Sequence, residues 1–573
     1  MPKTVTIEHF TQRPAWWTSI RFEHPVYLAF QGGGARGISH VGGLAAVDDL
    51  GLRVVGVAGT SAGAIIAALA AAHYKADDLL NPRFRTHLLQ TAAKGRYKRA
   101  TSLFSDRGWW AIKTLRDLVK PSSWPSRLLR FRWLALLFLL PAVLIVPQPW
   151  LGIVLLVTGA LIYVLFRKVH DGLASLQNVR DLVNTAIAER LHLAPDGKDG
   201  RGITFRQMRS AGGLPLKLVA TNVTDQALEL FSRETTPEVV VADAVAASIC
   251  LPFIFKPWSI EYRKPGEGSA RARQFLDGGL MSNLPAWSFD EERALRPDAV
   301  TIAFGLTAPR RDSNAVKKGR RSKKKVPHWF FAALNTIVAG PPELHFRGID
   351  RLVRVQLESK IKVLDFDASF DRLSRDVSEA KRESLSVLLE ELTLLPRKFR
   401  EYLEGMRQSI VPLLANAFPG FAFRGVGAIR ITVAIQRATD HHSMAIAYEV
   451  GHRHPPRRPR LSLDPKTMAG AAWWKGGGMK MGLAAERPET IYPDSAWAAA
   501  VPIAVVQPSP AEERLSKFAV VAIFDSADPL PVNIRCNHVV YDLFHRQLYS
   551  LASVYFILDD FGRTCRRSVT WIG

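Results

Sequence analysis

Val26-Tyr27-Leu28-Ala29-Phe30, followed by Gln31-Gly32-Gly33-Gly34-Ala35-Arg36-Gly37, and Val54-Val55-Gly56-Val57-Ala58, followed by Gly59-Thr60-Ser61-Ala62-Gly63, decide the fold. Each pentapeptide is a short apolar run of the kind that forms a strand buried on both faces. Each glycine-rich turn opens a helical pattern, Ile38 to Leu50 after the first and Ala64 to about His73 after the second. Two strand–turn–helix units in succession predict an α/β domain built on a parallel sheet.

The two turns invite different chemistry. Gly32, Gly34 and Gly37 satisfy G-x-G-x-x-G, a dinucleotide fingerprint, but that reading needs an acidic residue at the end of the second strand. That strand ends in Ala58-Gly59, and the nearest acids, Asp48 and Asp49, lie in the preceding helix. The nucleotide reading therefore fails. The second turn is G-x-S-x-G, a nucleophile elbow, in which flanking glycines remove the side chains that would collide with a serine in a strained turn. A serine nucleophile needs an oxyanion hole and a base. Gly32, Gly33 and Gly34 would expose consecutive backbone N–H groups at a helix start, with the Ala62 amide as a second source and Arg36 as a fixed positive charge. A candidate base is Asp277, which follows the strand-like Gln274-Phe275-Leu276 and opens Asp277-Gly278-Gly279. Strand ends are where α/β sheets present catalytic groups, although Asp-Gly-Gly in isolation is an ordinary turn.

Outward from this core, 573 residues are too many for one domain, and 47% hydrophobic with 22% charged residues excludes wholesale disorder. Cys250, Cys536 and Cys565 give neither a disulfide framework nor a zinc pattern, so a reducing compartment is expected, and MPKTVTIEHF carries no signal-peptide run. The chain is strongly basic, 76 Lys and Arg against 52 Asp and Glu, for a net charge of +24. Lys94 to Arg132 holds +9, interleaved with Tyr97, Phe104, Trp109, Trp110, Trp124 and Phe131, and Arg310 to Lys325 holds +8. The first stretch runs into Trp133–Phe166, which has no charge and is divided by Pro147-Gln148-Pro149. Its two arms would reach about 21 and 26 Å as helices, against a hydrocarbon core of about 30 Å, so a hairpin that dips into or barely crosses the bilayer is expected. Arg127, Arg130 and Arg132 before it and Arg167 and Lys168 after it place both ends on the cytoplasmic side. The aromatic-basic context favours an anionic membrane over nucleic acid, for which no recognisable module is present.

GGGARG at 32–37, GTSAG at 59–63 and DGG at 277–279, in that order, resemble the patatin-like phospholipases. Leu216–Val223, Ala242–Pro252 and, more weakly, Leu364–Leu373 extend the resemblance, which covers about 25–395 with an insertion at about 100–200. It implies a patatin-like sandwich and a Ser–Asp dyad without histidine. Ser61 would be the nucleophile and Asp277 its base, with Gly32, Gly33, Gly34 and Arg36 around the oxyanion, and no cofactor or metal. It also implies hydrolysis of phospholipid acyl esters through an acyl-Ser61 intermediate. The expected organisation is an extension, 1–24, the acylhydrolase domain, 25–395, with its apolar hairpin, 133–166, and basic loop, 309–327, and a mainly β or α+β module, 396–573. Gly427–Gln436, Ser443–Val450, Phe518–Asp525 and Ser550–Leu558 have strand character there, and Asp440, His441, His442, His452 and His454 lack diagnostic metal spacing. The alternative is a membrane effector or scaffold whose patatin-like domain is switched on by a partner or ligand at this module.

Overall fold

The computed structural model describes residues 24–113, 172–307, 346–418, 429–436, 443–452, 460–483, 492–503 and 520–558, with short interruptions in several of these stretches. The expected hairpin 133–166, the basic loop 309–327, Asp440 to His442 and His454 lie outside the described residues. Among the described residues no helix is long and apolar enough to cross a membrane. Two compact units are present, one within residues 23–345 and 354–385, the other within 346–353 and 386–573.

The larger unit is built on an eight-stranded sheet. Its strands are β1 (Val26–Phe30), β2 (Val54–Thr60), β3 (Leu216–Asn222), β4 (Ala227–Phe231), β5 (Trp258–Tyr262), β6 (Arg271–Asp277), β7 (Val300–Thr307) and β8 (Leu352–Glu358). They lie in the order β8-β7-β1-β2-β3-β6-β5, with β4 also paired to β3. β7, β1, β2 and β3 form the expected parallel core, whereas β4, β5 and β6 join by antiparallel pairing, so the sheet as a whole is mixed. The reason is connectivity. Short loops join β3 to β4 and β5 to β6, and such links make hairpins, whereas parallel neighbours need a crossover. Helix α1 (Ser39–Asp49) follows the first glycine turn through a single 3₁₀ stretch, Gly34–Ile38, and α2 (Ala62–Ala71) follows the second. Both are rich in alanine and glycine and almost wholly buried, so small side chains bring their backbones close to the sheet. The longer helices α3 (Gln177–Arg190), α4 (Val241–Ser248) and α5 (Phe370–Leu389) also belong to this fold, with α4 packed on β3 and α2.

The register around β3 sets the functional geometry. β4 runs along one edge of β3 from Leu218 to Asn222. The other edge is shared: β2 pairs with its first half, ending at Thr60 opposite Val219, and β6 with its second half, ending at Asp277 opposite Ala220. The ends of β2 and β6 therefore meet against consecutive residues of β3.

The smaller unit is α+β. Strands β9 (Arg430–Gln436), β10 (Ser443–Val450), β11 (Arg460–Ser462), β12 (Lys480–Leu483), β13 (Trp497–Ile503) and β14 (Val520–Ser526) form an antiparallel sheet in the order β11-β10-β9-β14-β13-β12. Period-two alternation feeds two cores. Ile431, Val433, Trp497, Ala499 and Phe524 pack with Leu403 and Met406 of α6 (Leu395–Ala417) and Phe544 and Leu548 of α8 (His538–Leu558). Ala434, Met444, Ala498, Ala500 and Ile523 pack on the other face with Ala469 and Ala472 of α7 (Met468–Lys475). Ser550–Leu558, expected as a strand, is the end of α8. At the sheet's rim the buried Arg430 bonds Asp525 (2.5 Å) and Asp494 (2.6 Å), and His452 stacks on Tyr492 with ring centroids 3.6 Å apart.

Candidate active site

Ser61 stands between β2 and α2 with φ 53° and ψ −126°, outside the regions open to ordinary L-residues. The elbow around it is closed by its glycines. A Cβ on Gly59 would strike the Gly63 carbonyl, and one on Gly63 would strike the Phe30 carbonyl on β1. The strand-to-helix reversal is thus tight enough to hold the serine at the head of α2, whose N-terminal dipole favours negative charge there.

The Ser61 hydroxyl donates to Asp277 Oδ2 at 2.7 Å, across 216 residues of sequence. Asp277 is fully buried, and its Oδ1 accepts the Gly279 N–H at 2.8 Å. Its main chain is fixed as well, the N–H donating to the Cys250 carbonyl (2.8 Å) and the carbonyl accepting from Thr221 Oγ1 (2.9 Å). Burial raises its pKa to about 6, against the lowering pull of the Ser61 and Gly279 hydrogen bonds. A carboxylate held this way is a stronger base than a solvated one, and its acceptor oxygen already faces the hydroxyl proton.

The first glycine turn faces this pair. Gly32 donates its N–H to the Asn283 carbonyl at 3.0 Å, so it does not offer that N–H to an oxyanion. Its part is steric: a Cβ there would lie 2.9 Å from Ser61 Cβ and collide with Asn283 Oδ1. Among the described residues none accepts the N–H groups of Gly33, Gly34 or Ala62, which leaves these three amides open to a developing negative charge. Arg36 lies in the 3₁₀ stretch; burial lowers its pKa, its Nε has no partner, and no hydrogen bond joins it to Ser61 or Asp277. Asn283 positions Gly32 through its carbonyl while its Oδ1 is buried without a partner.

Three residues were not singled out from the sequence. His40, fully buried and held neutral by a pKa lowered to about 4, donates from Nε2 to the Gln31 carbonyl at 2.7 Å. The Gln31 side chain accepts the Leu306 N–H at 2.6 Å, so the glycine turn is tied at its entrance to α1 and β7. Ser248, at the end of α4, accepts the Ser61 N–H at 2.9 Å. A polar residue in the first turn of the helix after a glycine loop is a weak signal for His40; for Ser248 the signal is that Ala242–Pro252 belongs to the family resemblance, which gives the serine no role.

Apolar side chains adjoin the dyad. Ile65, on the first turn of α2, and Leu276, next to Asp277, pack with Ile249, Leu251, Phe104 and Trp109 in one cluster.

Residues 28–290 match the family model for patatin-like phospholipases. The uncharacterized protein YqhO of Bacillus subtilis (strain 168) is 25% identical over 300 residues, 51% of this chain and 74% of that protein. The probable lipid hydrolase 463L of Invertebrate iridescent virus 6 is 31% identical over 85 residues, 15% of this chain and 26% of that protein. Among solved structures, VipD from Legionella pneumophila is similar with a TM-score of 0.30 and 19% identity, over 64% of this chain and 67% of that one.

Proposed function

Residues 28–290 form a patatin-like phospholipase domain, and from that premise we propose that this protein is a membrane-associated serine acylhydrolase that cleaves phospholipid acyl esters with a Ser61–Asp277 dyad. The observation that carries the reading is the 2.7 Å hydrogen bond from the strained elbow serine to a fully buried carboxylate. Ser61 Oγ attacks the ester carbonyl carbon while its proton passes to Asp277 Oδ2. The carbonyl oxygen becomes an oxyanion and is met by the free N–H groups of Gly33, Gly34 and Ala62. Collapse of the tetrahedral intermediate breaks the C–O bond to the alcohol, which takes the proton from Asp277 and leaves acyl-Ser61. A water molecule, deprotonated by Asp277, then attacks the acyl carbon, and Ser61 recovers its proton as the fatty acid departs. The apolar cluster around Ile65 and Leu276 suits the acyl chain.

Membrane association rests on the sequence from Lys94 to Phe166 and on exposed apolar side chains of the same unit. Phe84, Trp110 and Met281 present large hydrophobic groups to solvent, Met281 four residues after the base. The flanking basic residues favour an anionic surface and the cytoplasmic face.

The test is to incubate wild type, S61A and D277A with vesicles and identify the released lipids by mass spectrometry. Fatty acid and lysolipid are expected from wild type alone, released faster from anionic than from zwitterionic vesicles, with the difference shrinking as salt is added. Equal release by S61A would sink the dyad, and equal rates on both vesicle types would remove the anionic docking.

A further inference from the structure

The end of α4 reaches the main chain of both dyad residues. Ser248, its last residue, is completely buried, and its hydroxyl accepts the Ser61 N–H at 2.9 Å while donating to the Val219 carbonyl at 2.6 Å. Two residues later the Cys250 carbonyl accepts the Asp277 N–H at 2.8 Å. Val219 is the register partner of Thr60, and its neighbour Ala220 is the partner of Asp277. The Ser248 hydroxyl therefore sits where β2, β3 and β6 converge, donating to one strand and accepting from the nucleophile itself.

We propose that Ser248 is a positioning residue for the reaction at Ser61, an inference that rests on the dyad reading above. The Ser61 N–H belongs to the peptide plane that precedes its Cα. Holding that plane to Val219 through one hydroxyl sets the direction of the Cα–Cβ bond, and with it the line from Oγ to Asp277 Oδ2. The positive φ of Ser61 has no support from its own side chain, which is committed to Asp277, so an outside group must hold the backbone. The same bond occupies the Ser61 N–H and leaves the oxyanion to Gly33, Gly34 and Ala62. Because the Cys250 carbonyl holds the base from the same segment, α4 and the residue pair after it act as a jig for the spacing between Oγ and Oδ2. A bland role, a buried hydroxyl satisfied only for stability, predicts a different result.

Ser248→Ala and Ser248→Cys are compared with wild type and Ser61→Ala in two assays: steady-state hydrolysis of vesicle phospholipid, and phosphonylation of Ser61 by a fluorophosphonate. Cysteine is larger than serine, leaves no cavity and accepts weakly, so it separates the lost bond from a cavity and serves where the alanine variant does not fold. Both variants are expected to lose on the order of 100-fold in kcat and in the phosphonylation rate constant, with KM within about twofold, as befits a misaligned nucleophile rather than a damaged binding site. A purely structural role would lower the melting temperature and leave kcat per folded molecule unchanged. Folded variants within about threefold of wild type in kcat would overturn the proposal and leave the dyad intact. Wild-type hydrolysis that survives Ser61→Ala would overturn the dyad, and this inference with it.

Discussion

At the residue scale the chemistry turns on how far burial moves one carboxyl group. Asp277 ionises at about 6 because desolvation outweighs the two hydrogen bonds it accepts. The base form is the ionised one, so kcat/KM is expected to be flat at neutral pH and to fall tenfold per pH unit below about 6. A pH profile on a soluble ester measures this directly, and activity that holds level down to pH 4 would mean that Asp277 is not the base. His40 does not contribute to that profile above pH 5, since burial keeps it neutral there. The elbow at Ser61 was legible from the sequence because everything that builds it is local: a strand, two glycines and a helix. The pairing of Asp277 with Ser61 was legible only in company, since nothing in Asp-Gly-Gly sets this turn apart from an ordinary one until the other motifs are counted with it. Gly32 shows the limit of such reading. A glycine run announces a backbone site, but which amide is free depends on the Asn283 carbonyl, 251 positions away in sequence.

At the element scale the decisive feature is the elbow, where α2 and β2 approach so closely that no side chain fits. G63A puts a methyl group against the Phe30 carbonyl, so the turn must open and move Ser61 off its line to Asp277. Loss of hydrolysis by at least about 100-fold is expected, with a destabilisation of about 1–3 kcal/mol read by urea unfolding. Wild-type activity in G63A would show that the turn is not the device holding the nucleophile. The parallel core was readable from two unbroken apolar strands. The antiparallel half was not: β6 alternates, with Arg273, Phe275 and Asp277 buried and Arg271 and Gln274 exposed, and alternation reveals a strand without revealing its direction. Ser550–Leu558 misled because Val554, Tyr555 and Phe556 favour strands locally, whereas Phe544 and Leu548, one helical turn apart in the core, commit the segment to α8. Within Ala242–Pro252, Ser248 did not stand out for the opposite reason, since its contact is with a partner 187 residues away and not in its own neighbourhood.

At the scale of the whole molecule, the chain comprises a unit that carries the match to the patatin-like phospholipase family and an α+β unit with two cores and a buried Arg430–Asp525 pair. The net charge of +24 was legible from composition, and its clustering beside tryptophans pointed to a surface where lipid is concentrated. In the proposed reaction, hydrolysis proceeds through one covalent bond that forms and breaks at Ser61. The most direct measurement is to mix wild-type protein with phospholipid vesicles, quench within the first turnovers, digest, and weigh the peptide that contains Ser61. An acyl group should be found on Ser61 of the wild type, absent from S61A and strongly reduced in D277N. Steady hydrolysis with no acyl group on that peptide, or with one on a different residue, would contradict the account.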